Sequence, residues 1–469
     1  MAVRFGTSGW RAIIADEFTF AGVRDVTRAI CTYLRASGAG KGSAIIVGYD
    51  TRFLGEQFAT ECVREVSAQE FRPLLCNHPT PTPTISHAIR KEGAVGGINF
   101  TASHNPPEYN GMKFSTADGA PALPEITKQV EQLISEIQAR NVQTETKLSD
   151  SSDFESYDPR PAYLADLESK IDFDQIAGAG GRYAYDPLWG TGRGYLDEAL
   201  RRRGVEVETI HDWRDVMFGG RSPEPDSSHL DELRVAMAKN NCALGVATDG
   251  DGDRSGVLDA DGSFITPNQL IALLFDYLAD SRGWDGGVAR SVATSHLVDR
   301  TASARGLPVY ETPVGFKFIG ELINEDKIIL GGEESAGMSI KGHYPEKDGI
   351  LACLLAAEAV AARGASLGEQ LAALYKRVGR IESGRVGVRL TPDLVASLPE
   401  RLSREPEAIG GRRISRTNRI DGVKFIFEDE SWLLMRPSGT EPLVRIYAET
   451  ESEKDLEVLL EQGRKYLLD

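Results

Sequence analysis

Residues 99–114 read NFTASHNPPEYNGMKF, and within them Ser103 stands beside His104, ahead of a proline pair and of Lys113. A serine hydroxyl is a poor nucleophile without a group to take its proton. His104 and Lys113 are the candidates for that transfer, and Arg11 could balance charge. The same residue types cap and break secondary structure, so a plain polar turn is the competing reading. A serine hydrolase would carry a G-x-S-x-G elbow, whereas Ser103 lies in A-S-H.

DGDGDR, residues 249–254, alternates Asp249, Asp251 and Asp253 with glycine behind an apolar run. Three converging carboxylates repel unless a cation lies between them, and an all-oxygen set favours a hard ion such as Mg²⁺. An acidic turn or a Ca²⁺ loop would look similar. An EF-hand needs glutamate at its twelfth position, and counting from Asp249 gives Ala260. RPSGTEPLVR supplies Arg436, Ser438, Gly439, Thr440 and Arg445, a set of guanidinium, hydroxyl and backbone amide suited to phosphate. It could also be a Pro-Ser-Gly turn with two surface arginines. GEESAG offers Glu333 and Ser335 for vicinal sugar hydroxyls, or else an ordinary helix start. GHYPEKDG carries His343, Lys347 and Asp348, TPVGFKF carries Lys317, and GYDTR carries Asp50 and Arg52. Each of these last three is weak alone.

These runs share one placement, a loop dense in Gly, Ser, Thr and charge at the end of a short apolar, β-rich stretch. Stretches with apolar spacing of three and four, such as DELRVAMAKN and DGILACLLAAEAVAARG, lie between them and predict helices. Alternating strands and helices imply mixed or parallel sheets layered by helices, with ligands beyond the carboxyl ends of the strands. The chain has 469 residues, 41% hydrophobic and 26% charged, which is globular and too long for one core. The polar run at 138–156, a hairpin at 256–269 with DADG as its turn, and the change of pattern at 375–390 predict four units, 1–145, 146–256, 257–372 and 373–469. No tandem repeat is visible.

A net charge of −17 argues against a nucleic-acid partner. No apolar run reaches eighteen residues, so no membrane span is expected. Five cysteines without CxxC spacing, and a polar start unlike a signal peptide, suggest reduced thiols in a cytoplasmic protein.

In this order and spacing, FGTSGWR, TASHNP, DGDGDR, TPVGFKF, GEES and RPSGTEP resemble the α-D-phosphohexomutase superfamily of phosphoglucomutases and phosphomannomutases over essentially the whole chain. The resemblance implies three similar mixed-sheet α/β domains and a smaller C-terminal α+β domain around a central cleft. Ser103 would be the phosphoserine and, with Asp249, Asp251 and Asp253, would hold Mg²⁺. Arg254, Thr312, Gly315, Lys317, Glu333, Ser335, His343 and Lys347 would hold the sugar phosphate. Arg436, Ser438, Gly439, Thr440 and Arg445 would hold the non-reacting phosphate. The reaction implied exchanges hexose 1-phosphate and hexose 6-phosphate through a bisphosphate, with glucose 1,6-bisphosphate as activator and intermediate. GEES followed by EKDG looks like phosphoglucomutase. GEMS resembles the mannose/glucose enzymes and GEQS the glucosamine ones, and Gly337 stands where both usually have histidine, for which His343 could substitute. A phosphomannomutase, a dual-specificity enzyme, a phosphoglucosamine mutase, a sugar-phosphate phosphatase and a silent sugar-phosphate binder are the alternatives. Both a monomer and a homodimer stay open.

Overall fold

The computed structural model describes residues 3–6, 9–140, 154–438 and 443–468. The first three units repeat one four-strand arrangement. In the first, strands Ala44–Tyr49, Arg72–Cys76 and Gly96–Phe100 are parallel, with Ala44–Tyr49 central, and Tyr109–Thr116 runs antiparallel beside Gly96–Phe100. In the second, Arg182–Asp186 lies between Glu206–Thr209 and Leu244–Thr248, with Ser255–Leu258 antiparallel at the side. In the third, Gly287–Ser291 lies between Val309–Thr312 and Ile328–Gly332, with Met338–Ile340 antiparallel. Numbered in chain order, the four strands named in each unit are ordered 2-1-3-4. Ligands in such sheets bind where the order reverses, past the ends of strands 1 and 3. TASHNP, DGDGDR and GEES each follow strand 3 of their unit.

The sequence explains the layering. Ala44–Tyr49 is an unbroken apolar run buried along its length, as a central parallel strand must be. Ile45 and Val47 enter the core under helices Phe20–Ala36 and Gly55–Ala68, while Ala44 and Ile46 face helix Thr82–Glu92. Helix Pro267–Ser281 starts at a Thr266–Gln269 capping box with Pro267 inside, and Gly349–Arg363 starts at Asp348. Both carry long buried faces and join the second and third units in one continuous core, from Tyr163 to Ile381. The fourth unit is a six-stranded sheet whose described strand pairings are all antiparallel. It has its own core against helices Pro392–Ser403 and Glu453–Leu468. Its other face sets Trp432, Leu434 and Tyr447 on Val292 and Ala293 of the third unit.

The sheets run past the expected boundaries. Strand Glu155–Tyr157 pairs with Arg72–Cys76, so the first sheet takes a strand from beyond residue 145. The DADG turn returns Phe264–Ile265 onto Ser255–Leu258, which extends the second sheet beyond residue 256. Helix Leu367–Val378 spans the expected break at 372. All five cysteines are buried and free. No single described helix is long and apolar enough to cross a membrane.

Candidate active site

Ser103 is 1% exposed and has φ +52°, a left-handed conformation that costs a non-glycine residue on the order of 1 kcal/mol. The loop around it is over-determined. The Ser103 amide donates to Thr101 Oγ1 at 2.8 Å. Arg52, buried at the end of the first unit's strand 1, sends one Nη to the carbonyls of Ser103 and Asn105 (2.7 and 2.6 Å). Its other Nη reaches those of Pro106 and Tyr109 (2.7 and 3.0 Å), and Asp50 takes its Nε at 3.1 Å. One guanidinium therefore binds four carbonyls of the serine loop.

The serine and aspartate loops meet. Ser103 Oγ donates to Asp249 Oδ2 at 2.6 Å, and His104 Nδ1 lies 3.4 Å from the same hydroxyl. Gly250 permits the approach, because a Cβ there would come within 2.7 Å of the Ser103 carbonyl. Burial lowers His104 well below its ordinary pKa, and the Arg254 and Arg11 charges add to this, so the neutral ring is favoured over the imidazolium.

Asp249, Asp251 and Asp253 are buried, with one oxygen from each within 4.8 Å of the others. Asp249 Oδ1 curls the loop by accepting the amides of Asp253 and Arg254 at 2.9 and 3.0 Å. Lys113 Nζ reaches Asp251 and Asp253 at 2.6 and 2.7 Å, and Lys347 Nζ reaches Asp253 at 2.5 Å. Burial raises Asp249 far above the usual carboxylate range, helped by the charges of Asp251 and Asp253. For Asp251 and Asp253 burial acts the same way, but Lys113 and Lys347 outweigh it and hold both low. Oδ1 of Asp251 and Oδ1 of Asp253 are buried without a partner. Buried carboxylate oxygens are rarely left so, and a small hard cation is the group this donor set fits.

The other expected residues divide. Arg11 donates to Asn105 at 2.9 Å beside the serine loop, and Arg254 donates to Glu224 at 3.2 Å. Glu333 accepts the Gly315 amide at 2.7 Å, tying GEES to the Thr312–Lys317 loop. Burial lowers the Lys317 pKa. Arg436 pairs across strands with Arg445, and the Ser438 amide bonds Leu443. Gly439 and Thr440 lie outside the described residues. A cavity of about 210 Å³ is bounded by Arg254 and Ser335 and by Trp432 and Tyr447 of the C-terminal unit. Neither Ser103 nor the three aspartates line it.

His343 sits in a buried cluster. Its side chain is fully buried, with Nε2 3.0 Å from Asp348, against Tyr344 and in a cluster with Tyr163. Its Nε2 is engaged by Asp348, the residue next to Lys347. Gly337 makes room for Lys347, whose Cδ would lie 2.3 Å from a Cβ at that position. Glu334, between Glu333 and Ser335, accepts Ser291 and Thr294 hydroxyls at 3.0 and 3.4 Å.

Three contributors lacked a decisive sequence signal. Arg52 was visible only as part of GYDTR. Thr82, in a Thr-Pro run, donates to Asp251 at 2.5 Å and accepts from Asn99 at 2.9 Å. Asp421, in the turn before strand Val423–Phe427, accepts Arg436 Nε at 2.7 Å.

The description "Phosphoglucomutase/phosphomannomutase, alpha/beta/alpha domain I" matches residues 2–141, domain II matches 161–262, domain III matches 266–378 and the C-terminal domain matches 386–465. A relative from Methanosphaera stadtmanae, named a probable phosphoglucosamine mutase, is 30% identical over 99% of this chain and 98% of its own. A phosphoglucomutase from Komagataeibacter xylinus is 30% identical over 96% and 87%. A crystal structure from Thermus thermophilus, provisionally named a phosphomannomutase, superposes with a TM-score of 0.87 at 34% identity, covering 100% of both chains.

Proposed function

We propose, for a chain that belongs to the phosphoglucomutase/phosphomannomutase family of intramolecular phosphotransferases, that its hexose phosphate is glucose phosphate and its phosphoryl carrier is Ser103. The observation that carries the second part is the buried Ser103 hydroxyl, bonded to Asp249 and within 3.4 Å of a neutral imidazole. Phosphoryl transfer asks mainly for positioning and charge neutralisation. Phosphorylated Ser103 gives its group to the free hydroxyl of a hexose monophosphate. The bond from phosphorus to Oγ breaks as the bond to the sugar oxygen forms, and the sugar hydroxyl proton passes by way of His104 to the leaving Ser103 Oγ; the second transfer runs the same path in reverse. The bisphosphate turns over in the cleft and returns its other phosphoryl group to Ser103. Asp249, Asp251 and Asp253 would hold Mg²⁺, which when bound neutralises charge on the phosphoryl oxygens. Glu333 and Ser335 orient the ring hydroxyls, with Thr312, Gly315 and Lys317 alongside. Arg436, Ser438 and Arg445 take the phosphate that is not reacting.

Glucose is supported by GEES with EKDG. The names of the relatives span glucose, mannose and glucosamine, so the sugar rests on these residues. Glucose 1-phosphate, mannose 1-phosphate and glucosamine 1-phosphate assayed in parallel, with glucose 1,6-bisphosphate as activator, decide it. The highest kcat/KM is expected for glucose 1-phosphate, and a preference for either other sugar overturns the reading. Inorganic phosphate measured in the same reactions stays far below sugar 6-phosphate if the enzyme is a mutase and not a phosphatase.

A further inference from the structure

Residues 419–422, RIDG, turn between strands Arg412–Asn418 and Val423–Phe427 of the C-terminal sheet and dock on the third unit. Asp421 Oδ2 accepts two donors: Arg436 Nε at 2.7 Å and the Val314 backbone amide at 3.0 Å. Arg436 opens RPSGTEP, and Val314 lies in TPVGFKF. The next amide of that loop, Gly315, goes to Glu333. Two successive amides are thus divided between the expected sugar loop and the C-terminal unit. The turn is built against the arginine. Gly422 has φ +82°, and a Cβ there would meet the Met435 carbonyl at 2.5 Å and Arg436 Cα at 3.1 Å. Asn418 fixes the same turn by donating to Glu311 of the third unit and accepting the Ile420 amide.

Arginine offers five donors in a rigid fork. Asp421 takes Nε, and no described residue bonds the Nη nitrogens, which leaves that edge for an anion. The geometry points to Asp421 as a positioning residue: one carboxylate oxygen presets the Arg436 fork and ties it to the loop that borders the sugar site. Docking of the C-terminal unit and aiming of Arg436 at phosphate are then one event. This rests on the proposed function, since it gives Arg436 a phosphate to hold.

The test is a double-mutant cycle on the full chain: wild type, Asp421→Asn, Arg436→Ala and the double variant. Two readouts are taken: KM and kcat for the hexose phosphate, and the affinity for inorganic phosphate by calorimetry. Asp421→Asn should raise KM about tenfold and weaken phosphate binding comparably, with kcat within about threefold of wild type. In the Arg436→Ala background the same substitution should change neither quantity more than about twofold, because a residue acting through Arg436 has nothing left to act on. Equal effects in both backgrounds, or a fall in kcat at unchanged KM, overturn the proposal. Asp421→Ser, also suited to a turn, carries the same expectation should the asparagine variant unfold. A wild type that does not interconvert hexose phosphates sinks the functional reading alone, and the phosphate-binding cycle still decides the role of Asp421.

Discussion

The Ser103 hydroxyl and the Asp249 carboxylate meet at 2.6 Å from equivalent places in two different sheets, each in the loop after strand 3. The contact needs both loops strained or bared: Ser103 is left-handed, and Gly250 has no side chain to hold the loops apart. Such strain persists only where surrounding bonds enforce it, and it marks a site where geometry matters more than local stability.

Ser103→Ala should therefore fold, since the amide bond to Thr101 and the Arg52 contacts do not use the hydroxyl. Turnover should fall more than about a hundredfold, because the hydroxyl that would carry the phosphoryl group is gone. Intact-mass analysis of the wild-type protein should find a phosphoryl adduct that maps to Ser103. An active alanine variant, or an adduct elsewhere, removes Ser103 from the mechanism.

Chelation should abolish turnover and added Mg²⁺ should restore it. A cation that binds only the folded chain also raises the unfolding temperature with its concentration, so the site can be followed without an assay of activity. Asp251→Asn should weaken that dependence, because a neutral amide is a poorer ligand for a hard dication. Activity that survives exhaustive chelation would assign the carboxylates another purpose.

Arg52→Lys tests the scaffold of the serine loop. Lysine keeps the charge but has three donors from one point, and it cannot serve four carbonyls and Asp50 together. Each buried carbonyl left unpaired costs about 1–3 kcal/mol. The variant should melt several degrees lower and lose turnover even when saturated with substrate. Unchanged melting and unchanged kcat would show that the guanidinium geometry is dispensable.

What could be read in advance depended on how far apart the partners lie. DGDGDR is legible because its ligands are neighbours and their repulsion is a local fact. Ser103 gained its meaning only from the ordered set of motifs. Arg52 acts on carbonyls about fifty residues ahead of it, and carbonyls leave no trace in a residue pattern. Nothing in GHYPEKDG shows that Asp348 will fold back on His343 together with Tyr163. The 2-1-3-4 repeat is invisible in sequence because burial asks each strand only for apolar residues, which three unrelated runs supply. The shared core of the second and third units was missed for the same reason: an apolar helix does not announce which two sheets it joins.

Gly337→Ala tests the glycine that stands where related sugar loops carry histidine. Lys347 crosses this position, so an added Cβ must push its chain aside and draw the ammonium from Asp253. Losing one charge-assisted contact costs about 1.5–3 kcal/mol. kcat/KM should fall roughly tenfold or more for glucose, mannose and glucosamine phosphates alike. A selective change in favour of one sugar would mean that residue 337 governs specificity and not the placement of Lys347.

Glu333 gives the pH test. Burial pushes its carboxyl up to about 7 from the ordinary 4.5, and the Glu334 charge adds to it, while the Gly315 amide, Lys347 and Arg254 pull the other way. A sugar hydroxyl donates best to the ionised form, so affinity should rise as pH passes 7, with KM falling about tenfold between roughly pH 6 and 8. Substrate phosphate and His104 could also titrate, and Glu333→Gln separates them: it removes the Glu333 step and leaves the others. Stability should move in the opposite direction. The folded chain holds this proton more tightly than the unfolded chain does. The contribution is therefore greatest below 4.5, falls as pH rises toward 7, and is level beyond. The glutamine variant should flatten that slope too. If KM for the wild type and for Glu333→Gln follows the same curve, Glu333 is not the group whose ionisation binds the sugar.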